Sequence, residues 1–320
     1  MKAVYISQQG GVENLTYGDL PEPQPAPDEV LVRVRAAGVN RRDIFERSGS
    51  HGVKVEGMKV PGLDMAGEIA GMGSYVATTG KFKEGDRVMC GGYTRGTYAE
   101  YSTAHMNNTQ KIPAWLSFED AASMPTAFGA AYQAMVVRAG LRVGEDVLVM
   151  AAGSGVGSAG IQIAKAYGCR VVTTAGSDSK LAKAKGIGAD AVINYKEFPE
   201  FSNKVMEATG NRGVDLLYEH IGASVFEQCY RSLARGGRYV TNGVTAGHMT
   251  ELHLGRLWTR ELSLIGSTMH PERDLPAVMN LVERKLVHAV VDRVFPLKEA
   301  AEAHKVLESN DFFGKLVLVP

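Results

Sequence analysis

Apolar and polar positions change rhythm along this 320-residue chain. Up to residue 116 the apolar residues come in short runs. Lys2–Ile6 and Val30–Ala36 read as strands, and the PEPQPAP segment between them has no helix potential. Val60–Gly73 is glycine-rich with β character. KEGDRV at 83–88 is a turn leading into a strand that Tyr98–Tyr101 continues. At Ser117 the pattern turns helical. SFEDAASMPTAFGAAYQAMVVRAG has Ser117 as N-cap with Asp120 three residues on, and Pro125 breaks or restarts the helix.

From Asp146 strands and helices alternate. Strands are expected at Asp146–Ala151, Arg170–Thr174, Ala191–Asn194, Val214–Tyr218, Arg238–Thr241 and Glu261–Thr268. The helices between them are Val156–Tyr167, Ser179–Lys185, Phe201–Ala208 and Ser224–Leu233. The first carries Val156, Ala159, Gly160, Ile163, Ala164 and Tyr167 on one face. Repeated βα units imply a parallel sheet covered on both faces. Helices near Leu275–Arg284 and Ala300–Leu307 and a last strand, Lys315–Val319, follow. The predicted fold class is α/β: a doubly wound Rossmann sheet inserted in a β-rich domain. Residues 1–120 are expected to form the first part of the β-rich domain, 121–262 the Rossmann domain, and 263–320 to return to the first, with strand 261–268 at the sheet edge.

Length agrees with roughly two domains. With 45% hydrophobic and 22% charged residues there is enough apolar material for two cores. Zero formal net charge argues against nucleic acid as a partner, and the cluster Arg33, Arg35, Arg41 and Arg42 reads as a solvated face. Cys90, Cys169 and Cys229 are scattered, which fits free thiols in a reducing compartment. The apolar run in MKAVYISQQGG is too short for a secretion signal, and no stretch reads as a membrane span. A cytoplasmic location is expected.

VLVMAAGSGVGSAGIQIA sets glycines between a buried strand and a helix, the context of a dinucleotide-binding loop. Glycines let backbone approach a pyrophosphate, and the helix N-terminus offers unpaired N–H groups. A literal G-x-G-x-x-G sits at Gly155, Gly157 and Gly160 but starts late relative to the strand. The favoured register runs Ala152, Ser154, Gly157, with Gly155 inside it. NAD-preferring loops carry an acid about 20 positions on, at the end of the second strand. Here RVVTT is followed by Ala175, Gly176 and Ser177. No carboxylate there repels a 2′-phosphate, Ser177 can donate to one, and Lys180 can pair with it. Asp178 is read as a helix cap. The cofactor expected is NADPH.

MKAVYI, EVLVRVRAAGVNRRD, VPGLDMAGEIAG, KEGDRV, AGSGVGSAGIQIAKAYG, GADAVINY, GVDLLYE, LARGGRYV and FGKLVLV occur in order over essentially the whole chain. Through them the sequence resembles the medium-chain dehydrogenase/reductases, in their zinc-free quinone oxidoreductase (zeta-crystallin-like) branch. The resemblance implies a GroES-like fold for the β-rich domain and a homodimer paired through strand 261–268. It implies that Asn40 stands where zinc-dependent relatives place a cysteine ligand and lies beside the nicotinamide. Leu63 and Asp64 stand where those relatives have a His-Glu pair. Thr126 takes a cofactor-side position. Ser154, Gly155, Val156 and Gly157 match the pyrophosphate loop. Gly176, Ser177, Lys180 and Tyr195 match the 2′-phosphate site. Asn242 and Gly243 match contacts to the nicotinamide half. Two departures stand out: the loop order Gly153, Ser154, Gly155, and His51 after Ser50 where relatives often have tyrosine.

Catalytic zinc needs about three Cys, His or Glu ligands. Position 40 is Asn, position 63 is Leu, and the short run from Cys90 to TYAEY leaves no room for a four-cysteine lobe. Cys90 reads as a small buried hydrophobe, and His220 and His270 as ordinary packing or surface residues; no metal is expected. Without a Lewis acid, hydride transfer suits an acceptor that delocalises the incoming charge. The expectation is a reductase of a small-molecule electron acceptor, a quinone or activated carbonyl-conjugated compound, aided by donors such as Asn40. An enone, enal or acryloyl-CoA double-bond reductase is the alternative, with Arg41, Arg42 or Arg47 favouring an anionic substrate. A non-catalytic NADPH-binding protein is the alternative of another class.

Overall fold

The computed structural model describes residues 1–92 and 96–320. The chain divides into two compact units, one of residues 1–126, 271–283 and 289–320, the other of 127–270 and 284–288. These divisions fall at 126/127 and 270/271, several residues beyond the 120/121 and 262/263 expected, and 284–288 fall with the second unit.

In the second unit six parallel strands form one sheet. Its strands are Asp146–Val149, Arg170–Ala175, Ala191–Asn194, Val214–Glu219, Leu233–Thr241 and Ser263–Gly266. Numbered in chain order they lie 3-2-1-4-5-6, the doubly wound Rossmann order. Strands buried on both faces need continuous apolar runs rather than alternation. DVLV and VDLLYE supply them, and Leu148, Leu217 and Val172 are fully buried in this core. The order reverses between Asp146–Val149 and Val214–Glu219, so ligands are expected at the carboxyl ends of those two strands.

Two strands are shorter than their apolar runs. Asp146–Val149 stops because Ala151 adopts a left-handed φ of 53°. The edge strand begins at Ser263, not Glu261. Residues 260–262 finish the helix Leu254–Thr259, with Glu261 at φ 55° and Leu262 N–H bonded to Leu257 O.

The first unit is built on a sheet ordered Val291–Pro296, Lys315–Val319, Glu29–Gly38, Asp64–Met72, Arg87–Cys90, Thr109–Lys111, with Tyr101–His105 also paired to Glu29–Gly38. The expected strand at Tyr98–Tyr101 thus lies further on, at Tyr101–His105. All pairings are antiparallel except that of Val291–Pro296 with Lys315–Val319. The tail does return: Val317 pairs with Gly38, and Gly38 with Asp64. Three segments distant in sequence therefore meet at one end of three adjacent strands.

Glycine at 38 is a packing requirement. A Cβ there would lie 2.3 Å from the Ala122 carbonyl oxygen, so its absence lets the helix Phe118–Ser123 sit directly on the sheet. Ser117 caps that helix, its Oγ accepting from Asp120 N–H at 3.0 Å. Pro125 starts a new helix, Pro125–Tyr132, which puts Thr126 in its first turn beside Asp64. No helix among the described residues is long and apolar enough to cross a membrane.

Candidate active site

In the second unit, the loop after the strand Asp146–Val149 is built by backbone. Ser154 is the N-cap of the helix Gly155–Ala166. Its Oγ accepts from Gly157 N–H at 2.9 Å and donates to Ala151 O at 2.9 Å. A Cβ on Gly157 would lie 2.2 Å from that same carbonyl, and one on Gly160 would meet the Tyr218 ring at 2.9 Å. Gly157 keeps loop and helix in contact, and Gly160 seats the helix on the sheet. Gly155 and Val156 lie in the first turn, where amides have no intrahelical acceptor. Positive dipole and open N–H groups here suit a pyrophosphate. His220 Nε2 lies 3.0 Å from Ser154 Oγ. Asn242 donates to the buried Tyr218 hydroxyl at 2.9 Å, and Gly243 packs against the His220 carbonyl, which a Cβ would approach to 2.9 Å. The structure thus gathers Ser154, Gly155, Val156, Gly157, Asn242 and Gly243 around the sheet's switch point, with His220 as a member the sequence reading had set aside.

At the end of Arg170–Ala175, a Cβ on Gly176 would sit 2.6 Å from the Tyr195 hydroxyl, so these two positions are adjacent. Ser177 is the N-cap of Asp178–Gly186. Asp178 is therefore the first helical residue, not the cap, and its carboxylate accepts from Asn194 Nδ2 at 3.1 Å. Lys180 is half-buried one turn on.

In the first unit the polar groups are side chains. Asn40 precedes the helix Arg41–Ser48, and its N–H donates to the Asp43 carboxylate at 2.8 Å. Its Nδ2 donates to Asp64 Oδ2 at 3.0 Å and to Gly38 O at 3.2 Å. Its Oδ1 accepts from Lys315 Nζ at 2.6 Å. Lys315 also donates to Val39 O at 2.7 Å and lies 3.9 Å from Asp64 Oδ2. Thr126 gives Asp64 its backbone N–H at 3.2 Å and its hydroxyl at 2.6 Å. Asp64 is fully buried and Lys315 only 7% exposed. Burial pushes the Asp64 carboxyl up and the Lys315 ammonium down; each is pulled back toward its charged form by the other. Both amide hydrogens of Asn40 are thus directed to acceptors of the first unit, Asp64 and Gly38 O.

Behind Asn40 a second polar chain is buried. Asp43 Oδ2 accepts from Tyr98 Oη at 2.8 Å, and Tyr98 Oη lies 3.2 Å from His304 Nε2. Burial pushes the Asp43 carboxyl up to about 7. Burial, with a smaller contribution from the Arg47 charge, holds His304 down at about 3.

Residues 26–114 match the family model of the alcohol dehydrogenase GroES-like domain, and 155–284 that of the zinc-binding dehydrogenases. The whole chain is 32% identical to the quinone oxidoreductase of Rattus norvegicus, of which it covers 98%. The chain belongs to the quinone oxidoreductase branch of the medium-chain dehydrogenase/reductases. Among solved structures, one described as an NAD-dependent alcohol dehydrogenase has a TM-score of 0.92 at 38% identity, each chain covered in full. A mycobacterial protein solved in complex with NADPH has a TM-score of 0.92 at 30% identity, again over 100% of both chains.

The zinc of the zinc-binding dehydrogenases would have to be held by the residues at positions 40, 63 and 64. They do not fit it. Leu63 has no donor atom, and the space between Asn40 and Asp64 is approached by an ammonium. Among the described residues no three His, Cys, Asp or Glu side chains gather as a metal would need. The Gly92–Gly96 segment, where no room for a cysteine lobe was read, includes positions outside the described residues. Cys90 is fully buried, and burial pushes its thiol up to about 12, as suits a small hydrophobe.

Sequence reasoning missed Lys315, Asp43, Tyr98 and His304. The one available signal was the lysine heading KLVLV. All of Lys315–Leu318 are buried, and a buried lysine requires a partner.

Proposed function

We propose that this chain transfers hydride from NADPH to a quinone or another carbonyl-conjugated acceptor without a metal ion. The observation that carries the reading is the Lys315 ammonium set against Asn40 and Asp64, the positions paired by resemblance with metal ligands. In this reading Ser154, Gly155, Val156 and Gly157 bind the pyrophosphate. Gly176, Ser177, Lys180 and Tyr195 hold the 2′-phosphate, and Asn40, Thr126, Asn242 and Gly243 orient the nicotinamide half. NADPH, when bound, supplies the hydride; the protein supplies position and orientation. With the Asn40 hydrogens committed, the first unit offers little stabilisation to a localised oxyanion. That favours an acceptor that spreads the charge over its own conjugated system.

Enones and enals share that property and are the second reading. An acyl-CoA is less well supported, because the arginines meant to receive it have partners. Arg47 pairs with Glu308, Arg42 with Glu46 at 3.5 Å, and Arg41 donates to Asn310 at 2.6 Å. A homodimer through Ser263–Gly266 is part of the proposal. The strand is an open sheet edge with Leu264 40% exposed, and Trp258 nearby in sequence is 79% exposed. Three buried free thiols suit a reducing, cytoplasmic setting.

The test is NADPH and NADH oxidation against a small quinone, an enone and an acyl-CoA. Quinone turnover with NADPH preferred is the expected result. Faster enone turnover selects the second reading. Tight NADPH binding with no turnover of any acceptor contradicts the enzyme and leaves a binding protein.

A further inference from the structure

We propose that Lys315 is a positioning residue for hydride transfer: a cation built into the last strand that fixes the Asn40 amide and balances Asp64. The proposal rests on the reading that Asn40 lies beside the nicotinamide.

Asn40 can sit in its pocket two ways round, exchanging oxygen for nitrogen. An ammonium has donors and no acceptor. Lys315 Nζ at 2.6 Å therefore selects the arrangement with Oδ1 toward it, and this sends both Nδ2 hydrogens to Asp64 and Gly38 O. The same ammonium is tied to Val39 O, so one cation holds the backbone and the side chain of consecutive residues. Asp64 accepts from Asn40 and twice from Thr126, all neutral donors. Lys315, at 3.9 Å, is the cation paired with it.

The consequence reaches Thr126. While Asp64 stays ionised it takes the Thr126 hydroxyl hydrogen, so Thr126 Oγ1 is left with only lone pairs to offer. Asn40 has no amide hydrogen left. The cluster then presents acceptors, suited to orienting an N–H donor such as a carboxamide rather than to binding an oxyanion. Removing the ammonium leaves Asn40 Oδ1 and Val39 O without their donor and Asp64 without its cation, so the amide is held from one side only; that disturbs the orientation without touching the phosphate-binding loop of the second unit.

The test uses Lys315→Met and the double variant Lys315→Met/Asp64→Asn. The double variant removes Lys315 together with the carboxylate 3.9 Å from it and leaves Asp43, whose carboxyl burial already pushes up toward its neutral form, so it stays foldable if the single variant does not. Both are assayed for quinone turnover with NADPH, for NADPH affinity by fluorescence and for Tm. The expected result is a kcat lower by on the order of 10- to 100-fold in both, with KM for NADPH within about twofold of wild type because the phosphate site is intact. Tm falls in the single variant and recovers in the double one. Wild-type kcat in either variant, or kcat recovering along with Tm in the double variant, would show a role in folding alone and overturn the proposal. A wild-type protein that binds NADPH but turns over no acceptor removes the reductase reading instead. In that case Lys315 is judged on bound-NADPH emission: an altered spectrum in the double variant at unchanged affinity supports it, and an unaltered one overturns it.

Discussion

The two units of this protein make polar sites in opposite ways. The glycine loop of the second unit is backbone: open amides at a helix end, with Gly157 and Gly160 allowing the close packing that aims them. The cluster of the first unit is side chain: Thr126 and Asn40 bond to Asp64, and Lys315 to Asn40. A backbone site needs little beyond local geometry. A side-chain site of buried charges needs every member, because an unpaired ion in low dielectric is strongly unfavourable.

That difference ranks the expected effects. Asp64→Ala removes the acceptor for three donors and the counter-charge of Lys315, and should lower stability by about 3–5 kcal/mol in chemical denaturation. Asp64→Asn should cost less, since it keeps an acceptor. Equal losses would mean that charge does not matter there. Gly157→Val forces a Cβ onto the Ala151 carbonyl and should weaken NADPH binding at least 100-fold, roughly 3 kcal/mol. The first unit is untouched by this change; a loop that tolerates valine would remove the backbone account.

The buried chain behind Asn40 predicts a pH signature. His304 is held down from 6.5 to about 3. Its stabilising share is complete above pH 6.5 and is lost as pH falls through about 3. Asp43 is raised from 3.8 to about 7. Its share is complete below pH 3.8 and is lost as pH rises through about 7. Between those limits the slopes oppose each other, so these two groups leave stability nearly level from about pH 4 to 6.5. His304→Gln should unmask stability that falls with rising pH there, by up to about 1.4 kcal/mol per pH unit, and Asp43→Asn the opposite slope. Parallel slopes in the two variants would break the assignment. The smallest effect sits at the 2′-phosphate site, where Lys180→Ala should raise KM for NADPH roughly tenfold and leave NADH unchanged.

The same contrast explains what could be read from the chain alone. The Rossmann sheet and its loop were legible because their signals are local: apolar runs of strand length, glycines between strand and helix, no acid after RVVTT. The return of Lys315–Val319 to the first unit was legible only as topology. What stood next to Lys315 was not, since Asn40, Asp64 and Lys315 meet through pairing of Gly38 with both Asp64 and Val317, contacts spanning most of the chain. The partners of Asn40 were hidden for the same reason: its hydrogens go to groups 24 residues away and nearer, and its oxygen to one 275 residues away. Asp178 was misjudged by a single position, because Ser177 takes the cap.

Lys315 reaches Asn40 and Asp64, the positions that resemblance pairs with metal ligands, and reduction by NADPH is proposed to proceed without a metal. The most direct measurement is the rate of quinone-dependent NADPH oxidation before and after exhaustive chelation, with zinc added back. The account predicts the same rate in all three samples. Activity that disappears on chelation and returns with zinc would contradict it.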